Sequence, residues 1–146
     1  MNKFILKHSV IKGNHAFNIK PPMTTPASIL NVEPEYNNIK YVCACLVWIP
    51  ESDFFSKAAL RMTTDEKRHL KLEDIAGLPI GHAPMSLAPY FRDIIDKGGK
   101  VFSEVIGAPV PSFPPWPPQH EEGGGVVLPC HYIIYTPCKD DFNAIS

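Results

Sequence analysis

Sixteen prolines distributed over 146 residues constrain this chain more than any other feature. Proline has no backbone N–H and holds φ near one value, so it breaks helix interiors and is kept out of central ladder positions in sheets. A bundle of long helices is therefore excluded. The chain is expected to use short elements, extended segments and many turns. Its length suits one domain, which at this size buries roughly two thirds of the unfolded surface. Apolar residues make up 45% and charged residues 20%, enough for an ordinary core.

The hydrophobic pattern places the elements. Residues 3–12, KFILKHSVIK, alternate as a half-buried strand does, with Phe4, Leu6 and Val10 on one face and Lys3 and Lys7 on the other. Gly13-Asn14 ends that run, and a short strand is expected over 28–32. Residues 40–49, KYVCACLVWI, are continuous, β-branched and aromatic, and stop at Pro50. They read as a central strand buried on both faces, with Cys43 and Cys45 pointing the same way. Residues 51–76 are charged and rich in helix formers, and Thr63 to Glu66 offers a capping box ahead of a helix over 67–76. Leu78-Pro79-Ile80 reads as a short edge strand entering a turn, Gly81-His82-Ala83-Pro84. The clearest helix has Ser86 as its N-cap, Pro89 in its first turn, an apolar stripe of Leu87, Phe91, Ile94 and Ile95, and a stop at Gly98-Gly99. Strands over 100–106 and 126–136 flank a Pro/Gly-rich loop, 108–125. The sum is an α+β fold: a small, partly open β-barrel of about six strands with one clear helix and a helical insertion over 51–76. One domain is expected over 1–137, followed by a polar tail over 138–146.

Charge is uneven although the net charge is only −1. Residues 1–32 carry Lys3, Lys7, Lys12 and Lys20 and no acid, whereas 119–146 carry Glu121, Glu122, Asp140 and Asp141 against Lys139. One end of the chain is locally basic and the other locally acidic. The four cysteines, Cys43, Cys45, Cys130 and Cys138, follow no secretory signal, because Lys7 and His8 interrupt the run Phe4-Ile5-Leu6. No window reaches the ~18 apolar residues of a membrane span. Reduced thiols, a nuclear or cytoplasmic location and no membrane partner are expected.

Little in the sequence suggests catalysis. There is no Gly-x-Ser-x-Gly, P-loop or paired-carboxylate spacing, so no catalytic residue is assigned. Cys130 lies in an apolar strand, where thiols are inert. Neither C-x-x-C nor H-x-x-x-H occurs, so no metal or other cofactor is expected. His82 can present an imidazole near a helix N-terminus, a phosphate-binding arrangement, or it can fix its turn by hydrogen bonds. Phe113-Pro114-Pro115-Trp116-Pro117-Pro118 can serve as a polyproline ligand or cover one end of the barrel.

The order of several short motifs carries further information. Ser9-Val10, Gly13 and His15 are followed by Glu33-Pro34, then Ile80-Gly81-His82 with Pro84, then Gly98-Gly99, Gly107, and Leu128-Pro129-Cys130 with Tyr132. Over about residues 8–135 this order resembles the HIRAN domain, particularly its stand-alone animal forms. The resemblance implies an OB-like barrel, which in the DNA-remodelling members of that family captures the 3′ end of single-stranded DNA. Those members have an Arg-Tyr pair where this chain has His15-Ala16, and a Tyr-Asp pair where it has Asn38-Ile39. The expected function is therefore a non-enzymatic nucleic-acid-binding module for single-stranded DNA or its 3′ end. Its site is expected at His82, Gly13, His15, Phe17, Tyr36 and Lys12, in a shallow cleft at one barrel mouth. The lysines and His15 would meet phosphates, and Phe17 or Tyr36 would stack a base. The alternative is a protein–protein interaction domain with no nucleic-acid binding, whose partner docks on residues 109–118.

Overall fold

The computed structural model describes residues 2–13, 17, 19–20, 29–111 and 126–137. Nine strands form within them: β1 (Asn2–Lys12), β2 (Ile29–Pro34), β3 (Cys45–Trp48), β4 (Thr63–Asp65), β5 (Leu70–Lys71), β6 (Pro79–His82), β7 (Lys100–Val105), β8 (Val110–Pro111) and β9 (Val126–Thr136). Three α-helices accompany them: α1 (Lys57–Leu60), α2 (Leu72–Ile75) and α3 (Ala88–Asp96). The strands follow one another around the barrel as β1, β6, β3, β2, β7 and β9, and β9 pairs back onto β1. The result is a closed, six-stranded antiparallel barrel of the small OB-like α+β kind. β8 adds two residues to the free side of β9. Closure is uneven. The β1–β9 ladder runs nearly the whole length of both strands, but β1 meets β6 at one pair, Lys12 opposite His82.

Alternation explains the core. The inward positions of β9, Leu128, Cys130, Tyr132, Ile134 and Thr136, are all fully buried. They face inward residues Val101, Ser103 and Val105 of β7, and Leu30 and Val32 of β2 lie beyond. Phe91 and Ile94 of α3 pack into this interior, the Phe91 ring 4.9 Å from Tyr132. The Tyr132 hydroxyl donates to the Val10 carbonyl at 2.7 Å, so the buried phenol keeps a partner and ties β1 to β9 from within.

Several sequence expectations need correction. In β1 the inward set is Phe4, Leu6 and then Ile11, not Val10. Leu6 pairs with Tyr132 and Ser9 with Cys130, so Lys7 and His8 together stand opposite His131. This β-bulge, with His8 at φ +58°, reverses the facing of every later residue. The run 40–49 yields a strand only from Cys45. Asn38 Oδ1 accepts from the N–H groups of Lys40 and Tyr41 and holds that stretch in a turn. β3 is buried on one face, at Cys45 and Val47, and half-buried at Leu46 and Trp48. Cys43 precedes it.

Thr63-Thr64-Asp65 is not a helix cap. It forms β4, whose β-branched residues pair with β5 in a small hairpin. The helix behind it shrinks to α2, where the Lys71 N–H donates to Asp74 Oδ2 at 2.8 Å. Strand β6 is not an edge, because β1 and β3 flank it. The N-cap of α3 is Leu87 rather than Ser86, with no side-chain bond at that cap. The polyproline stretch 113–118 and Cys138 lie outside the described residues.

Gly99 marks a close approach of α3 to the barrel. A Cβ there would stand 2.5 Å from the Tyr135 carbonyl oxygen and 2.8 Å from that of Ile94. Gly99→Ala is expected to destabilise the fold by about 2 kcal/mol, the scale of forced overpacking, measured by chemical denaturation. An unchanged midpoint would show that α3 can move away from β9 freely.

Candidate functional site on the barrel wall

The residues that the sequence singles out converge at the β1–β6 seam. Ile11 and Gly81 point inward, and a Cβ on Gly81 would lie 2.6 Å from both Ile11 Cγ2 and the Lys12 carbonyl oxygen. Alternation then turns Lys12 and His82 outward, with Leu46 of β3 beside them in the same row. His82 is thus the last residue of a strand rather than part of a turn. The cluster sits on the outer wall of the barrel, not inside its mouth.

Around His82 the contacts are specific. Its Nε2 lies 2.9 Å from Glu35 Oε1, and the two side chains are 33% and 20% exposed. The Phe17 ring stands 5.6 Å from the imidazole at a 50° tilt. Gly13 follows Lys12 directly at the end of β1 and takes φ +75°, a left-handed conformation that glycine adopts without strain. Of the expected site, Lys12, Gly13, Phe17 and His82 are brought together. His15 lies outside the described residues.

Tyr36 sits one residue beyond Glu35. The residue is 74% exposed, and its ring lies 4.5 Å from the Arg92 guanidinium of α3. Arg92 is held in turn by a 2.8 Å bond from Nη1 to the Val42 carbonyl. Tyr36 therefore presents a stiffened aromatic surface next to the cluster.

Glu35 was not anticipated from the sequence. It follows β2, where its N–H donates to the Ala44 carbonyl at 2.8 Å and continues the β2–β3 hairpin. Asn38 Nδ2 donates to the same Glu35 oxygen at 2.7 Å, while Ile39 is 95% exposed. Glu35, rather than Asn38 or Ile39, thus supplies the acid that meets His82, and Phe17 the ring. The available signal was Glu33-Pro34-Glu35: two acids of one sign at i and i+2 share one face of a strand that ends at a turn. Partial burial pushes the Glu35 carboxyl up, but bonds from His82 and Asn38 and the imidazole's charge outweigh it, leaving it below its ordinary 4.5.

Burial pushes both Cys45 and Cys130 up to about 11, which disfavours their thiolates. Among the described residues, no three His, Cys, Asp or Glu side chains are grouped to hold a metal ion, and no helix is long and apolar enough to cross a membrane. No protein-family model, curated protein or solved structure matches the chain.

The depressed Glu35 carboxyl has a pH consequence. A carboxylate more acidic in the folded state stabilises the fold above its unfolded pKa, and that stability is lost as pH falls through the folded value. Melting temperature should therefore drop between about pH 5 and pH 3, and Glu35→Gln should flatten that drop. Identical pH profiles for the two proteins would show that the His82–Glu35 contact has no energetic weight.

Proposed function

We propose that this chain is a HIRAN-like module that binds single-stranded nucleic acid, preferentially at a free 3′ end, and works by capture rather than catalysis. The observation that carries this reading is the His82–Glu35 pair on the barrel wall, flanked by Phe17 and Lys12. A terminal nucleotide differs from an interior one in its free hydroxyl. An ionised carboxylate only accepts hydrogen bonds, so Glu35 suits a sugar hydroxyl and repels a phosphate at the same place. His82 holds that carboxylate in position. Lys12 would meet the preceding phosphate, and the Phe17 and Tyr36 rings would stack bases, whose stacking is tolerant of sequence. The order of motifs from Ser9 to Tyr132 and the OB-like barrel support the same reading.

The test is fluorescence anisotropy with short labelled single strands at low salt. His82→Ala should weaken binding by about 1–3 kcal/mol, the range for a lost bond to a charged group, in addition to the small drop in melting temperature that follows from losing its contact with Glu35. A 3′-phosphorylated strand should bind about tenfold more weakly than one with a free 3′ hydroxyl, a difference near 1.4 kcal/mol, and Glu35→Gln should narrow that gap. Absence of binding to single-stranded DNA, single-stranded RNA and duplex alike would rule the proposal out. Loss of stability in His82→Ala with binding unchanged would make His82 a structural residue.

A further inference from the structure

The two longest strands, β1 and β9, contain no Asp or Glu between them. Their shared outer face starts at the His82–Lys12 pair and runs the length of the barrel. On β1 it presents Lys12, Val10, the bulge residues Lys7 and His8, Ile5 and Lys3. β9 supplies Pro129, His131, Ile133 and Tyr135 alongside. Lys3, Ile5, Lys7 and His8 are exposed. From Lys3 to Lys12 the strip measures about 30 Å at ~3.3 Å per strand residue.

Cations and rings are interleaved along it, and one acid, Glu104 of β7, borders it opposite His131. Lys3 lies over the Tyr135 ring at 5.8 Å, and Lys100 of β7 pairs with Tyr135 from the other side. Tyr135 in turn meets Phe102 edge-on at 6.0 Å. Midway, the His8 and His131 rings meet at 87° with centroids 5.4 Å apart, and the His8 N–H donates to His131 Nδ1 at 3.1 Å. Lys7, at the start of the bulge, stays outward in line with Ile5 and Lys3. Lysines spaced along a strip with aromatic faces between them match a polymer whose phosphates and bases alternate. An acidic peptide would use the lysines but leave the rings without partners.

We infer that the outer face of β1 and β9 is a docking track for single-stranded polynucleotide, leading away from the His82 site toward Lys3 and Tyr135. This rests on the binding reading above and extends it from a captured end to the strand behind that end. Lys3 and Lys7 are chosen for the test because both are exposed and neither belongs to the His82 cluster.

The experiment compares oligothymidylates of about 4 and about 12 nucleotides, within the range one OB barrel spans, on the wild type and on Lys3→Glu/Lys7→Glu. The longer strand should bind the wild type at least about tenfold more tightly, some 1.4 kcal/mol. In the double variant that gain should vanish while the short strand binds as before. Lys3→Gln/Lys7→Gln should lower the salt slope for the longer strand by about 1.4, since each phosphate contact contributes about 0.7. Equal affinity for the two lengths, or a gain that survives both variants, overturns the track. So does displacement of the longer strand by polyglutamate as readily as by unlabelled strand. Failure of both lengths to bind overturns the end-binding reading together with the track. Binding of the longer strand alone, sensitive to Lys3 and Lys7 but not to His82→Ala, overturns end capture and leaves the track standing.

Discussion

The barrel closes where β6 lies against the end of β1, and that contact depends on the missing side chain of Gly81. A methyl group there would meet the Lys12 carbonyl oxygen and Ile11 Cγ2 at 2.6 Å. Backbone on one side and a fully buried side chain on the other leave little room to yield. The same contact sets the facing of the next residue. With Gly81 turned inward, His82 turns outward beside Lys12, within reach of the carboxylate that ends the β2–β3 hairpin. One glycine thus serves both closure of the wall and construction of the cluster upon it.

Much of this architecture can be read from the sequence, for identifiable reasons. β9 appears with the bounds its apolar run suggests, since eleven residues bracketed by glycines and a proline admit little else. The apolar stripe of α3 points inward through Phe91 and Ile94 as its spacing requires. What escapes such a reading depends on backbone conformation that residue type does not announce. Nothing about His8 marks it for φ +58°, yet that one residue decides whether Val10 or Ile11 enters the core. The β-branched pair Thr63-Thr64 competes between capping a helix and joining a hairpin, and pairing with Leu70-Lys71 prevails. The site divides the same way. His82 belongs to a legible motif and Lys12 and Phe17 lie beside another, but Glu35 reaches His82 only through the register that carries the end of β2 past β3 to β6.

Electrostatics then separates the surface into two neighbouring environments. At the seam, an ionised carboxylate held by His82 and Asn38 favours hydrogen-bond donors and repels phosphate. β1 and β9 themselves carry no carboxylate, Glu104 of β7 standing opposite His131 at their border, and lysines alternate with rings. A ligand with a hydroxyl at its end and negative charge along its length suits both at once. The interior plays no direct part in this. Two of its polar groups have structural partners, Tyr132 the Val10 carbonyl and the Cys45 thiol the Ala88 carbonyl.

The central claim is that the cluster around Glu35 and His82 is where the ligand ends. An NMR titration of the isotopically labelled protein with a short single-stranded oligonucleotide bearing a free 3′ hydroxyl tests it most directly. The account predicts that the largest backbone amide shifts fall on Lys12, Gly13, Phe17, Glu35 and His82, and that they saturate together with one affinity. Shifts that are absent, or confined to the β4–β5 hairpin and its helices α1 and α2, would contradict it.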